Sequence, residues 1–144
     1  MIIRNKILFY LLSFTWGLPM TLIGCLAAVV LLATRHKPQK WGYCYQFEFG
    51  RSWGGVNLGP IIITDQNPTK HTKNHEAGHS QQNCIFGPFM IVISLMSFCR
   101  YWYRELKYYK KGLVPPTAYD DVWYEGQAST VGTKFIDWYN NNTK

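Results

Sequence analysis

The feature that most limits the fold of this chain is an uncharged run of 27 residues, from Ile7 to Ala33. As one helix, the run would be ~40 Å long, which exceeds the ~30 Å hydrocarbon core of a bilayer. It predicts a single transmembrane helix, tilted or kinked near Gly17 and Pro19, because either half alone would be too short to span. Residues 1–36 are therefore expected to form an N-terminal membrane anchor.

A cleaved signal peptide is the alternative interpretation of this run. The segment Leu22-Ile23-Gly24-Cys25 is similar to a lipoprotein processing site. A product beginning at Cys25 would, however, carry a further apolar tail, so a retained membrane helix is favoured. More basic residues follow the run than precede it, which favours a cytoplasmic location for the rest of the chain.

The net charge of +7 agrees with a membrane location. Basic residues flank the apolar runs, where anionic lipid headgroups favour them. No nucleic-acid partner is expected, because the chain contains no recognised nucleic-acid-binding motif. A basic peripheral protein that binds anionic lipid or nucleic acid is the remaining interpretation of the charge.

The four cysteines predict no metal site of their own, since the sequence has no C-x-x-C pair. Four free thiols are the simplest expectation, and a disulfide between Cys44 and Cys84 is left open.

Two strands are predicted between the anchor and the residues that carry chemistry. Aromatic residues occupy every second position of residues 41–49, which is typical of a strand with one aromatic face. Residues 56–64 predict a second strand, interrupted at Gly59-Pro60. Together they predict a β-hairpin or small sheet, which either covers the structure or holds an extended peptide along an exposed edge.

The sequence His75-Glu76-Ala77-Gly78-His79 matches the pattern H-E-x-x-H. On a helix, the two histidines are four residues apart and share one face, so both imidazoles can reach one metal ion. Asn67-Pro68 predicts the helix N-cap and first residue, and Gly87-Pro88 predicts its end. The less specific interpretation is a polar helix with two solvated histidines.

Zn²⁺ is the expected ion, because it takes imidazole and carboxylate ligands and keeps a position open for water. Glu76 is then the expected general base. His71 lies one turn before His75, but it would stand ~12 Å from His79 along the axis, too far to share the ion.

A second apolar stretch follows the predicted metal helix. Ile85 to Cys99 contains no charge over 15 residues and extends through aromatic residues to residue 103. It is short for a full crossing, so residues 85–103 are expected to span when tilted, to re-enter, or to form a buried helix. The basic, aromatic residues that follow predict a helix at the lipid surface.

The third zinc ligand is expected from a C-terminal helix over residues 117–139. Glu125 lies in the middle of its apolar and small-residue face, where an isolated charge would be costly without a cation. An ion pair with a lysine or arginine is the alternative. Asp120 and Asp121 are the other candidate ligands. If residues 85–103 crossed fully, His75 and Glu125 would lie on opposite sides, so a re-entrant segment is favoured.

Several stretches resemble a group of small bacterial membrane proteins, and more widely the gluzincin zinc metallopeptidases. The stretches are Thr15-Trp16-Gly17-Leu18-Pro19, Thr21-Leu22-Ile23-Gly24, Gly54-Gly55-Val56-Asn57-Leu58-Gly59, the pattern H-E-x-G-H-x-x-Q from His75 to Gln82, Gly87-Pro88, and Glu125-x-x-Ala128. The resemblance implies an integral protein of the bacterial inner membrane, with His75 and His79 as ligands and Glu76 as base.

The expected fold is a mainly α, membrane-associated α+β structure. Its parts are the anchor (1–36) and a metallopeptidase-like domain (37–144), with a hairpin, a metal helix, the second apolar segment and a C-terminal helix. The expected function is hydrolysis of peptide bonds by a zinc-activated water. Tyr119 and Tyr124 are candidates to assist in the transition state, since both lie near Glu125. The alternative is a non-catalytic membrane interaction protein whose metal is structural or absent.

Overall fold

A computed structural model describes residues 1–143, which are mostly helical and contain one small mixed sheet. The five helices are α1 (Lys6–Phe14), α2 (Leu18–Ala33), α3 (Lys70–Phe86), α4 (Met90–Lys107) and α5 (Trp123–Asn142). The four strands are β1 (Gln39–Trp41), β2 (Cys44–Glu48), β3 (Gly55–Leu58) and β4 (Ile61–Thr64). Short 3-10 turns occupy Gly87–Phe89, Tyr109–Lys111 and Tyr119–Asp121.

The N-terminal apolar run is two helices rather than one. The axes of α1 and α2 meet at 93°. The break falls near Gly17 and Pro19, where the kink was predicted, and at 93° it divides the run into two helices. A Cβ at Gly17 would overlap the side-chain amide of Asn83, which donates a 3.3 Å hydrogen bond to the Gly17 carbonyl. The hydroxyl of Thr21 then donates to the carbonyl of Ser13 at 2.7 Å and fixes the corner.

The sheet has the order β1-β2-β4-β3, in which only the central pair, β2 and β4, is parallel. Of the two predicted alternatives, the small sheet is therefore confirmed, and it consists of two hairpins. Gly59-Pro60 is the turn between β3 and β4 rather than an interruption of one strand. The expected aromatic strand is likewise divided, because Gly42 adopts a φ of +61° and turns the chain between β1 and β2.

The sheet lies between α2 and α3. Cys44 and Ile62 belong to the core on the α3 side, whereas Phe47 and Ile61 pack against Leu31 of α2. Phe47 of the predicted aromatic face thus covers the apolar surface of α2, whereas Tyr45 and Phe49 are exposed. Four cysteines are free, so the Cys44–Cys84 disulfide does not form.

Helices α3 and α5 pack at very short range through glycine. A Cβ at Gly78 would overlap the carbonyl of Ala128, and a Cβ at Gly132 would overlap that of Asn74. This agrees with the small-residue face predicted around Glu125.

The helix limits differ from expectation: Thr69, not Asn67, caps α3 by accepting from the Thr72 N–H at 3.1 Å.

Helix α5 begins at Trp123 rather than at residue 117. Residues 117–119 instead run back along α4, since Arg104 donates to the Thr117 carbonyl at 2.9 Å and Arg100 to the Ala118 carbonyl at 3.0 Å. The chain after α4 therefore returns to the level of α3. By length and composition, the α3–α4 segment is the one helical stretch of residues 1–143 that is apolar enough to span a membrane. The bent α1–α2 pair would be a second such stretch if both helices belong to one broken span.

Candidate metal centre

Three buried donor groups converge where α3 meets α5. Glu125 Oε2 lies 3.0 Å from His75 Nε2 and 3.3 Å from His79 Nε2. The two Nε2 atoms are 3.1 Å apart. In residues 1–143, this is the one group of three such side chains whose donor atoms all lie within 4.8 Å of one another. The predicted ligand set is thus brought together, and the second apolar segment does not separate its members.

The hydrogen bonds of Gln82 determine which nitrogen of His79 carries a proton. Gln82 Nε2 donates to the Tyr124 carbonyl at 2.8 Å, which fixes the orientation of the amide. Gln82 Oε1, 2.7 Å from His79 Nδ1, can therefore only accept. His79 must donate from Nδ1, so in its neutral form Nε2 presents a lone pair to the centre. This is the arrangement that a metal-binding histidine uses.

A second set of hydrogen bonds gives the same result for His75. The hydroxyl of Ser129 donates to the Asp120 carboxylate at 2.7 Å. Because its proton is used there, the Ser129 oxygen accepts from His75 Nδ1 at 2.8 Å. The Nε2 lone pair of His75 also points to the centre. Asp120, one of the two alternative ligands considered from sequence, acts through Ser129 instead, and Asp121 accepts from the Ala118 N–H at 2.8 Å.

The centre requires a cation. With both Nδ1 atoms protonated, two lone pairs and a carboxylate oxygen face one another at about hydrogen-bond distance. Protonation of both Nε2 atoms would place two positive charges 3.1 Å apart. One proton shared with Glu125, or one metal ion, balances the group. Burial would raise the pKa of Glu125, but the hydrogen bonds to His75 and His79 outweigh it and hold that pKa well below its usual range.

The residues present fit a zinc ion. Two imidazole nitrogens and one carboxylate are a ligand set typical of catalytic zinc. Glu125 Oε1 is buried and has no hydrogen-bond partner among residues 1–143, so it too is available to a cation.

Glu76 lies beside the centre but is not among its three donors. Its carboxylate lines a cavity and touches β3, since a Cβ at Gly55 would be 2.9 Å from Glu76 Oε1. Burial raises the pKa of Glu76, while His75 and His79 oppose the increase. A bound dication would lower it again.

The two tyrosines suggested from sequence occupy different surroundings. Tyr119 lines the cavity, with its ring centroid 6.3 Å from that of His75. Burial and the carboxylates of Glu125 and Glu76 raise its pKa, so the hydroxyl is protonated. Tyr124 instead packs in an apolar cluster with Met20 and Met90 and does not line the cavity.

The cavity has a volume of about 730 Å³ and lies between β3, α3, α4 and the Tyr119 turn. His71 is on its wall and largely exposed, 3.7 Å from the Asp120 carboxylate, which agrees with its expected exclusion from the ligand set. The α4 wall is mostly apolar and aromatic, with one buried charge, Arg104.

No protein-family model matches the chain, and no curated protein or solved structure does. The chemistry of the site must therefore be argued from its own residues.

The sequence assigned no role to the groups that orient the ligands or to the buried charge on the cavity wall. Gln82 was detectable, because it lies three residues after His79 and so faces it on the same helix. Ser129 was recognised only as a small residue, although it is four residues after Glu125. Arg104 gave no signal beyond one charge in a basic stretch.

Proposed function

We propose that this protein is a membrane-associated zinc metallopeptidase that hydrolyses peptide bonds. The observation that carries the proposal is a three-ligand centre with a separate buried glutamate on the wall of the same cavity. Among residues 1–143, no further histidine, cysteine or acidic side chain joins the group. Three protein ligands with one open position are typical of catalytic zinc, whereas a structural site is closed by a fourth.

Bound zinc would supply Lewis-acid activation of water and stabilise negative charge on the substrate oxygen. Glu76 takes the proton of the attacking water, whose oxygen bonds to the peptide carbonyl carbon. The C–N bond then breaks, and the same glutamate passes the proton to the leaving amine. We assign to the Tyr119 hydroxyl the hydrogen bond to the developing oxyanion, because this protonated group lines the same cavity.

The strand edge next to the centre favours a peptide as substrate. β3 is an outer strand of the sheet, so one side of its backbone has no strand partner in residues 1–143. Gly55 and Val56 of this strand line the cavity. Free N–H and C=O groups along a strand edge can pair with an extended peptide.

The distribution of apolar surface favours association with a bilayer. Three large apolar side chains are 67 to 79% exposed: Ile7 on α1, Leu26 on α2 and Phe89 just before α4. Only 22% of the most apolar part of the α3–α4 segment is buried, whereas a helix in a soluble core would be mostly buried. Because the chain returns along α4, we favour a re-entrant or interfacial α4 over a full crossing. Helix α3 itself lies inside the protein.

The metal is tested first, on detergent-purified full-length protein. We expect one zinc per chain by mass spectrometry in the wild type and in His71→Ala, and none retained in His79→Ala. His71→Ala is the matched control, because it removes a neighbouring histidine that is not a ligand. A wild type that holds no zinc after reconstitution would reject the proposal and favour the non-catalytic membrane interaction protein.

Hydrolysis is tested next, with a mixture of fluorogenic peptides of varied sequence. Glu76→Gln should keep its zinc and lose turnover, because Glu76 is not a ligand. Turnover that survives in Glu76→Gln would reject Glu76 as the base. Stoichiometric zinc in the wild type without hydrolysis of any peptide in the mixture would reject the peptidase and indicate a structural metal.

A further inference from the structure

One positive charge on the cavity wall has no ionic partner. Arg104 of α4 is only 6% exposed and lines the cavity. Its guanidinium donates to the Thr117 carbonyl at 2.9 Å and to the Tyr109 hydroxyl at 3.4 Å. Its Nε is buried and makes no hydrogen bond within residues 1–143.

Arg104 is also uncompensated in charge. Within residues 1–143, no carboxylate oxygen lies within 4.0 Å of it. The rings of Tyr109 and Tyr119, at 6.0 and 5.7 Å, offer cation–π attraction but carry no negative charge. A buried, unpaired cation is expensive. The cost is removed when an anion enters the cavity.

The position of Arg104 relative to the metal centre limits the size of such a ligand. Its guanidinium carbon is 5.7 Å from the Tyr119 ring, which is 6.3 Å from the His75 ring, so it lies within about 12 Å of His75. An extended peptide advances ~3.3 Å per residue, so roughly three residues fit between the two points.

We propose that Arg104 binds the terminal carboxylate of a peptide substrate, so that the protein removes short, apolar carboxy-terminal pieces of up to about three residues. The inference rests on the proposed function and specifies its substrate class. Met90, Phe98 and Trp102 of α4 line the cavity and suit apolar side chains. In hydrolysis the released piece is the amine product, and its own terminal carboxylate stays on Arg104.

An anionic lipid headgroup offers the same charge to Arg104, but the cavity favours a peptide. The unpaired edge of β3 forms another part of the wall and can bind backbone amides. An acyl chain has no groups that would pair with it.

The test measures binding rather than turnover. Zinc-loaded, full-length Glu76→Gln protein in detergent is titrated calorimetrically with an N-acetylated apolar tetrapeptide and with the same peptide amidated at its C-terminus. The free acid should bind roughly ten- to a hundredfold more tightly, as expected for a charge-assisted hydrogen bond. Equal affinities would overturn the inference without any substitution at Arg104.

Two further variants in the same background locate the preference. Arg104→Gln should bring the acid and the amide to similar affinity, and Arg104→Lys should restore part of the difference. Arg100→Gln is the matched control, because Arg100 also holds the returning chain through the Ala118 and Tyr119 carbonyls but does not line the cavity. If Arg104→Gln keeps the preference for the free acid, or if Arg100→Gln loses it, another group recognises the carboxylate and the proposed role of Arg104 is rejected.

A competition arm separates peptide from lipid. A short-chain anionic phospholipid should displace the acid peptide less effectively than unlabelled peptide does. More effective, Arg104-dependent displacement by the lipid would overturn the peptide assignment. An acid preference in a protein that hydrolyses no peptide would reject the peptidase yet keep the anion site, so the two failures are distinguishable.

Discussion

The two histidines of the metal centre are oriented in different ways. His79 is held by Gln82, a fully buried residue of the same helix. His75 is held by Ser129 of α5, which in turn donates to Asp120, a side chain that is 36% exposed. The side chain that supports His79 belongs to the same helix, although its amide is oriented by the Tyr124 carbonyl of α5. The side chain that supports His75 belongs to α5 itself and depends on the turn before it.

This difference shows how the site depends on the fold. The His79 ring contacts a residue three positions away on α3, and α5 contributes only the Tyr124 carbonyl that orients this residue, Gln82. The His75 ring needs contacts between residues 54 positions apart in the chain. Substitution of Gln82, which supports His79, should therefore reduce zinc affinity more than substitution of Asp120, which supports His75 through Ser129. The hydrogen bonds of His75 should be the more easily disturbed by solvent.

The largest effect on zinc affinity should come from Glu125, whose carboxylate contacts both His75 and His79. Glu125→Ala removes one of three ligands and should weaken zinc binding by more than roughly 100-fold, the upper end of what loss of a ligand's hydrogen-bond partner costs. The measurement is the zinc dissociation constant in competition with a chelator. Glu105→Ala is the control and should have no effect, because this glutamate of α4 is not one of the three donors and does not line the cavity. Unchanged affinity in Glu125→Ala would exclude it as the third ligand.

The next effect should come from Gln82→Ala. The substitution leaves His79 Nδ1 without its acceptor, so the ring loses its tautomeric preference and its orientation. Zinc affinity should fall roughly 10- to 100-fold, as is typical for partners of metal-bound histidines. The control is Gln127→Ala, because Gln127 accepts from Gln82 Nε2 at 2.9 Å but does not touch His79. Equal losses in the two variants would mean that Gln82 acts only through packing.

A smaller effect is expected on the His75 side. Asp120→Asn can turn an N–H towards Ser129, which frees the hydroxyl to donate to His75 and so favours the wrong tautomer. Because water can replace part of this exposed support, we expect a loss of about tenfold or less in zinc affinity. Asp121→Asn, at the neighbouring position, should leave affinity unchanged. If Asp120→Asn lost more zinc affinity than Gln82→Ala, the hydrogen bonds that orient His75 would be the more important ones, contrary to our expectation.

The parts of the site that sequence could predict are those with a fixed local spacing. His75 and His79 follow from helical periodicity, and Glu125 follows from the cost of a carboxylate on an apolar face. Gly87 ended the helix as expected, with a φ of +56° that only glycine adopts freely. The small residues opposite Gly78 correctly indicated that α5 approaches α3 closely.

The parts that sequence could not predict depend on tertiary contacts. Composition alone describes Ile7 to Ala33 as one apolar run, whereas the 93° corner depends on Asn83, which lies far along the chain and packs against Gly17. The role of Ser129 depends on Asp120 accepting its proton. The basic stretch that contains Arg104 predicted a helix at the lipid surface, whereas in the structure the returning chain packs over this side chain.

The remaining prediction concerns pH and the proton shared between His75 and Glu125. In the metal-free protein, burial would lower the pKa of His75, but the hydrogen bond to Glu125 and the negative charges of Glu76, Glu125 and Asp120 together outweigh burial and raise that pKa. The pair therefore stabilises the metal-free fold at mildly acidic pH, and this contribution is lost as the pH rises through the raised pKa of His75. On the acidic side, the lowered pKa of Glu125 means that its contribution is lost as the pH falls.

In the proposed metallopeptidase, zinc would replace the shared proton, so its stabilising effect should increase from pH 6 to pH 8. One displaced proton changes the binding free energy by about 1.4 kcal/mol per pH unit while the site is protonated. The measurement is the difference in Tm between zinc-loaded and metal-free protein across this range, with Asp121→Asn as a control that keeps the slope. A difference in Tm independent of pH would show that no proton is shared in the metal-free centre. The hydrogen bonds of Glu125 with His75 and His79, which need a proton at 3.0 and 3.3 Å, would then be rejected for the metal-free protein.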